Sequence, residues 1–503
     1  MRVRGFSLIE LLMAIAISTM ALVSITLVVY GTPILLANMR TELQALEHAR
    51  AGIENANVRA GRDFSALQSS GSADSVFSNT VRIESLEDDS LTEAVSSSSW
   101  QDLLGKRQSV SLIRFLVDAS STDNSCDSFV SSDWSNPHTS GSYAVSTSGV
   151  LGANALNDTY TLSNLGVMGN TLIATVGATG STSSPTLLFF DTGTTAKTLS
   201  YTGGFDNART SKVGFAALTT GGGNIYAGNG FGSASTQTCS DGISCSQVQI
   251  FGYSSGNVVR VASLTLPRTS PPYAVVSGGA SAPVHSLSYK KHRLYVGLEK
   301  TISGSEFNIV DVTNPANPVW VSGLRIGRTI TTVFVRDFYA YVSTDDSSQE
   351  LVIIDIHDEN HPVIVGSWNA PGSTGFGYGA ASSARGPWIR FGRTYISNAP
   401  EFVLLNVSDL SHITVSDSKD LGTALAPESV RALHTQDFVT YVLTTHTLQF
   451  WNTGDPTHLT QYAPLHSLPS GMEGVALACR GKTFYLARNR ISDGAGFIDI
   501  LTD

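Results

Sequence analysis

The side chains able to do chemistry are few in this sequence, and they do not converge. Eleven histidines are scattered along 503 residues, without the H-E-x-x-H or Cys/His spacing that a zinc site needs. No G-x-S-x-G elbow or Walker loop is present. Asp345, Asp346 and Glu350 form a dense acidic group of the second half. They lack the alternating register and glycine of a calcium loop and read as a solvated hairpin tip. No catalytic residue, metal site or cofactor is therefore expected, and the chain reads as a non-enzyme. The most unusual group is a lone carboxylate, Glu10, inside an apolar segment that runs to about Tyr30. In a membrane helix such a charge costs about 2.5–3.5 kcal/mol and marks a functional group with a partner.

Two other sets of residues stand out. Cys239 and Cys245 enclose the turn-forming Ser-Asp-Gly-Ile-Ser, which suits a disulfide closing a short loop better than a metal pair lacking further ligands. Cys126 and Cys479 can pair only if distant parts of the chain meet. Glycine-aromatic loops occur at residues 228–232 and 372–392, the latter with Phe376, Tyr378 and Trp388. Neither has the strand-turn-helix context of a dinucleotide site. Such aromatics stack on sugars, anchor a protein partner, or plug a channel.

The elements that position these groups begin with the apolar segment. About 20 apolar residues cross a bilayer as a helix, and Arg2 and Arg4 ahead of it place the N-terminus in the cytoplasm and the body outside. A secretory signal has a shorter apolar core and a small-residue cleavage site, and a plain anchor gives Glu10 no role. Gly5-Phe6-Ser7-Leu8-Ile9-Glu10-Leu11-Leu12 resembles the N-terminal signature of type IV prepilins and type II secretion pseudopilins. That resemblance, over about the first 60 residues, implies removal of Met1 to Gly5 by a prepilin peptidase, N-methylation of the exposed Phe6, and pairing of Glu10 with the terminal amine of a neighbouring pilin subunit. A cation is what makes a carboxylate tolerable among apolar helices.

From about Pro33 to Arg59 the helix is expected to continue, with Leu36, Met39, Leu43, Leu46 and Ile53 as an apolar seam. Residues 61–140 are Ser-rich, as at Ser96 to Ser99, and read as a pilin-like subdomain or a linker, with Ser111 to Val117 the most strand-like run. Beyond them the chain repeats. Phe307 to Val321 and Leu351 to Val365 are each an apolar strand ending in Asp, an Asn/Pro turn and a second strand. Weaker copies centre on Leu187 to Thr192, Val248 to Phe251, Phe402 to Leu410, Phe450 to Thr453 and Phe497 to Ile500. Each follows a strand marked by Ile173, Tyr226, Tyr295, Tyr341, Tyr395, Tyr441 or Tyr485. Four short strands per unit, stacked radially, describe a β-propeller.

The segment Pro137 to Ser146 is similar to the fourth-strand pattern Asn317 to Ser322 and is expected to complete the last unit, whose own end lacks a fourth strand. Asp311, Asp355 and Asp499 read as turn residues accepting backbone N–H groups. The Ile-Val-Asp-Val and Ile-Ile-Asp-Ile repeats resemble the LVIVD repeat family of bacterial surface propellers.

The expected fold is α+β: a long hydrophobic pilin-type helix followed by an all-β propeller of seven blades, with six or eight as the margin. Its domains are a leader (1–5), a transmembrane and assembly helix with stalk (6–60), the Ser-rich segment (61–140) and the propeller (141–503). A net charge of −10 and the lack of a basic run beyond the leader disfavour nucleic acid as a partner. The function that follows is a minor pilin-like subunit, single-pass in the plasma membrane and then at the cell surface or pilus. It displays its propeller for adhesion to, or recognition of, a surface glycan or protein. A pseudopilin-like component of a type II secretion or DNA-uptake system and a membrane-tethered propeller enzyme are the alternatives.

Overall fold

A computed structural model describes residues 19–20, 32–60, 69–73, 76–85, 91–101, 105–117, 137–145, 160–179, 185–193, 197–205, 214–230, 246–254, 257–267, 282–301, 304–336, 338–370, 376–381, 387–395, 399–422, 426–436, 439–480 and 483–502. The chain divides into two compact units, Met1–Ser121 and Thr122–Asp503. The expected membrane span lies almost wholly outside the described residues, as do Gly5, Phe6, Glu10, Cys126, Cys239 and Cys245. Among the described residues no helix is long and apolar enough to cross a membrane.

The first unit packs one helix, α1 (Thr32–Ala60), on an antiparallel sheet of four strands: β1 (Ser70–Ala73), β2 (Ser78–Ser85), β3 (Leu91–Gln101) and β4 (Arg107–Val117). The expected seam faces this sheet only in part: Ile53 is buried against it, whereas Leu43 is 60% and Leu46 39% exposed. The buried stripe is Ala45, Ala49, Ile53 and Ala56, spaced four, four and three apart on one helical face. Small residues win because the serine-rich β3 lies directly beneath, with Ser96 and Ser98 buried. A side chain at Gly52 would collide with the Ser96 hydroxyl. Ser96 to Ser99 thus belong to a packed strand.

The second unit contains β5 (His138–Ala144) and then seven four-stranded antiparallel sheets. Sheet 1 is β6 (Tyr160–Met168), β7 (Thr171–Thr179), β8 (Leu187–Asp191) and β9 (Ser200–Phe205). Sheet 2 is β10 (Phe215–Gly221), β11 (Asn224–Asn229), β12 (Val248–Ser254) and β13 (Asn257–Leu264). Sheet 3 is β14 (Val284–Lys290), β15 (Arg293–Leu298), β16 (Phe307–Asp311) and β17 (Val319–Leu324). Sheet 4 is β18 (Ile330–Arg336), β19 (Tyr339–Thr344), β20 (Leu351–Asp355) and β21 (Val363–Trp368). Sheet 5 is β22 (Gly377–Ala381), β23 (Trp388–Arg393), β24 (Phe402–Asn406) and β25 (Thr414–Lys419). Sheet 6 is β26 (Val430–Gln436), β27 (Val439–Thr444), β28 (Thr447–Asn452) and β29 (Thr460–Ser467). Sheet 7 is β30 (Met472–Arg480), β31 (Thr483–Arg490), β32 (Gly496–Thr502) and, as its fourth strand, β5.

The first strand of each sheet touches the first strand of the next, and β30 returns to β6. This cycle of four-stranded sheets is the architecture of a β-propeller, which leaves only short edges exposed. The third strands are mostly apolar and buried, as in Phe307-Asn308-Ile309-Val310 and Leu351-Val352-Ile353-Ile354. Such burial follows from being covered on both faces by neighbouring sheets. β5 fits its place by register as well as by pairing. Every sheet's fourth strand carries an extra residue at the same place opposite the third: Thr202, Val261, Val321, Val365, Ser416 and Tyr462 in sheets 1–6, where β29 has a second shift as well, and Ser140 of β5 in sheet 7.

Close approach between sheets relies on a glycine near the end of the second strand. A Cβ at Gly297 would stand 2.5 Å from Ile330 Cγ2 and 3.0 Å from Val333 Cγ2 of the next sheet. Gly228 and Gly392 make room in the same way for Val284 and Val430. This alignment corrects one marker residue. Matching Gly392 to Gly297 puts Arg390, buried at 2%, at the position of Tyr295, whereas Tyr395 lies beyond β23.

Candidate functional site

The first strand of every sheet is interrupted at the same point. Each carries a β-bulge in which one extra residue faces no partner: Ser163, Ala216, His285, Thr331, Tyr378 (with Gly379 opposite a single residue), Arg431 and Val475. Bulges bend a strand and re-aim a side chain, and they gather at functional sites. The residue before each bulge, such as Leu162, Phe215, Val284, Ile330 or Val430, is buried between sheets. The bulged residue itself is accessible. All seven line one cavity of about 400 Å³, walled by first strands alone, along the axis of the ring.

Some bulge residues also fasten the ring. Ser163 Oγ donates to Phe215 O of the next sheet at 2.6 Å, and Thr331 Oγ1 to Gly377 O at 2.7 Å. Deeper in the channel, His434 Nε2 lies 3.0 Å from Leu477 O. Burial holds His434 below the ordinary imidazole value, partly offset by that carbonyl. His285 is reached by water yet surrounded by strands. Burial lowers its pKa too, against the opposing pull of Glu299 and Asp345. Arg431 Cζ stands 5.9 Å from the Tyr378 ring centroid, and its Nη2 lies 3.7 Å from Glu473 Oε2.

Of Phe376, Tyr378 and Trp388, the structure brings only Tyr378 to the channel. Phe376 is 44% exposed just before β22. Trp388 packs against the inter-sheet cluster of Phe402, Val430 and Leu404. The acidic group does not converge. Asp345 Oδ1 accepts from Thr329 N, Asp346 pairs with Arg328 at 2.5 Å, and Glu350 is fully buried against Arg393, with Oε1 2.8 Å from Nη2. Glu350 is thus part of the core, not of a solvated tip.

Asp311 and Asp355 do cap turns, accepting from Thr313 N and His357 N at 2.8 Å. Asp499 does not. It lies within β32, 2% exposed, where it accepts from Arg488 Nε at 2.6 Å, Arg488 Nη2 at 3.0 Å and Ser142 Oγ of β5 at 2.6 Å. Cys479 of β30 is buried and carries no free thiol; any partner lies outside the described residues.

One recurrent group escaped the sequence analysis. The residue just before the third strand is Gln247, Glu306, Glu350 or Glu401 in sheets 2–5, all buried. Glu306 Oε2 accepts from Ile326 N and Gly327 N, Glu401 Oε2 from Leu421 N, and Gln247 Oε1 from Leu266 N. These side chains pin the loop leading into the next sheet. The signal was visible as an acid or amide directly ahead of the apolar run in each of these four sheets. A second set stitches neighbouring sheets: Arg293 pairs with Glu359 at 2.6 Å, Arg390 donates to Thr453, and Arg480 to Thr192 and Gly193. Arg390 faces only neutral oxygens, and burial with repulsion from Arg336 lowers its pKa to about 10.

Comparison with known proteins bears on the N-terminus and on the repeats. A model of the prokaryotic N-terminal methylation motif matches residues 1–26, and one of the LVIVD repeat matches residues 301–323 and 327–370. No curated protein matches. Among solved structures the chain is similar to the virginiamycin B lyase from Staphylococcus aureus (9% identity, TM-score 0.46), over 73% of this chain and 100% of that one. It is also similar to the Neurospora crassa Pan2 WD40 domain (11%, 0.44), over 74% and 96%. A third likeness is to the extracellular domain of BT4673 from B. thetaiotaomicron (11%, 0.42), over 68% of this chain but only 38% of that one.

Proposed function

We propose, from a chain that joins a prepilin methylation motif to LVIVD repeats, that it is a minor pilin-like subunit displaying a seven-bladed propeller for adhesion or recognition. The observation that carries this is the conjunction itself: the motif at residues 1–26 and a closed cycle of four-stranded sheets from His138 to Thr502. A prepilin peptidase removes residues 1–5, Phe6 is N-methylated, and residues 6–60 hold the protein first in the plasma membrane and then among other pilin subunits. Glu10 meets the amine of an adjacent subunit, where a cation relieves the cost of its charge. Residues 61–140 supply, as a pilin-like subdomain, the sheet β1–β4 that packs on this helix, and then run into β5 of the propeller. The large head hinders close repetition along a shaft, so the subunit occupies a tip or a low-copy position. Cys126 pairs with Cys479, tying the segment ahead of β5 to the sheet that β5 completes, and Cys239 pairs with Cys245.

Immunogold labelling of the propeller on intact cells tests the proposal. Label on surface filaments, lost in Glu10→Ala while the propeller still folds, is expected. Label retained within the envelope assigns the protein to secretion or DNA-uptake machinery instead.

A further inference from the structure

The ring of bulges has two unlike arcs. His285, Thr331, Tyr378 and Arg431 come from consecutive sheets, 3 to 6. The facing arc, Val475, Ser163 and Ala216, is small. Arg431 is the single permanent cation among these seven positions. Its guanidinium is held over the Tyr378 ring, but its carboxylate neighbour is too distant for a hydrogen bond at 3.7 Å and is itself 39% exposed. Arg431 Nε is enclosed and makes no hydrogen bond. The Arg431 side chain is 33% exposed, and a planar guanidinium reached from a cavity suits a carboxylate.

The groups around it suit hydroxyls. The Thr331 and Ser163 protons are committed to backbone carbonyls; this leaves the Thr331 oxygen as an acceptor, while the Ser163 oxygen already accepts from Thr175 Oγ1 at 2.9 Å and keeps one lone pair. His285, held neutral at neutral pH, offers one donor and one acceptor. The cavity of about 400 Å³ falls within the roughly 300–1,000 Å³ range of small-molecule sites. A phosphate would call for further cations or a backbone nest, and neither is among the seven bulge residues.

We propose that this channel mouth binds a carboxylate-bearing sugar residue. Arg431 holds the acid, Thr331, Ser163 and His285 hold hydroxyls, and Tyr378 lines the site beside the guanidinium. The inference rests on the propeller being a recognition head and adds the chemistry of what it recognises.

The test uses the full chain in detergent micelles, titrated calorimetrically with galacturonate, glucuronate and N-acetylneuraminate, and with galactose and glucose as neutral parents of the first two. At least one acid should bind, with any neutral parent at least about tenfold weaker. Arg431→Gln should weaken that acid by about tenfold or more. Arg431→Lys, which keeps the charge and loses the fork, should fall between, and it serves if the Gln variant does not fold. His361→Ala, on an exposed loop after β20, should bind as the parent does. Equal affinity for acid and neutral sugar, an Arg431→Gln variant of unchanged affinity, or no acid binding at concentrations of order 10 mM overturns the inference. Adhesion of cells carrying Arg431→Gln separates the two levels. If removal of the propeller abolishes adhesion and Arg431→Gln does not, the recognition head stands and the carboxylate site is refuted.

Discussion

One buried polar knot joins the strands that close the ring, and removing Asp499 is the sharpest way to measure its contribution. Asp499 and Arg488 have side chains only 3% and 6% exposed. The carboxylate takes two bonds from Arg488 and one from Ser142, so it joins β31, β32 and β5 at a single point. In Asp499→Ala the guanidinium keeps Ser142 Oγ at 2.9 Å and the Phe497 ring at 4.7 Å, while its Nη1 makes no hydrogen bond even in the intact protein. Breaking a buried pair by deleting one partner costs about 3–5 kcal/mol. With an unfolding entropy of about 2.1 cal/mol/K per residue, a unit reaching from Thr122 to Asp503 should lose roughly 4–6 °C in Tm. Calorimetry gives the shift, and hydrogen exchange should show earlier loss of protection over residues 138–144 than over the middle sheets. Arg488→Met combined with Asp499→Leu should recover most of the loss, because an apolar pair removes the stranded charge. An Asp499→Ala variant melting with the parent, or a double variant as damaged as the single one, would refute the role given to this knot.

Other outcomes follow from the same geometry. Gly297→Ala should cost about 1–3 kcal/mol by overpacking Ile330 and Val333, visible as a lower Tm, whereas alanine at Gly105, which has open space despite its positive φ, should meet no such collision. Glu306→Ala strands the buried N–H of Ile326 and should cost at least about 1–3 kcal/mol in thermal unfolding. Burial holds His434, His285 and His466 below the ordinary imidazole value of about 6.5. The folded state therefore binds fewer protons than the unfolded chain below that pH. Their contribution is complete above about pH 6.5 and declines as pH falls through it. Tm should drop between pH 7.5 and 5.5, and His434→Gln should flatten that drop.

The repeat made most of the second unit legible before the structure. The likeness of residues 137–146 to 317–322 pointed to β5 as the missing fourth strand, which its pairing with β32 realises. Third strands are easy to read because cover on both faces makes most of their residues apolar, with few interruptions such as Gln249 and Asn308. First strands are hard to read: the bulge breaks the two-residue period exactly where His285, Thr331 and Arg431 stand. Tyr378 was noticed for its glycine neighbours, and Trp388 looked equivalent to it. Only the topology separates them, because one lies on a channel strand and the other packs between sheets. Glu350 misled because a charged residue beside Asp345 and Asp346 reads as solvent-facing, while its partner Arg393 lies in the next sheet. On α1, leucine spacing suggested a seam, but the serine and glycine that allow close packing decided which face is buried.

The account turns on whether the chain is processed as a pilin subunit. Mass spectrometry of the protein recovered from its native envelope answers this directly. The prediction is an N-terminal peptide beginning with N-methylated Phe6 and lacking Met1 to Gly5. A protein that still begins at Met1, with Phe6 unmodified, would contradict it and leave a tethered propeller outside any filament.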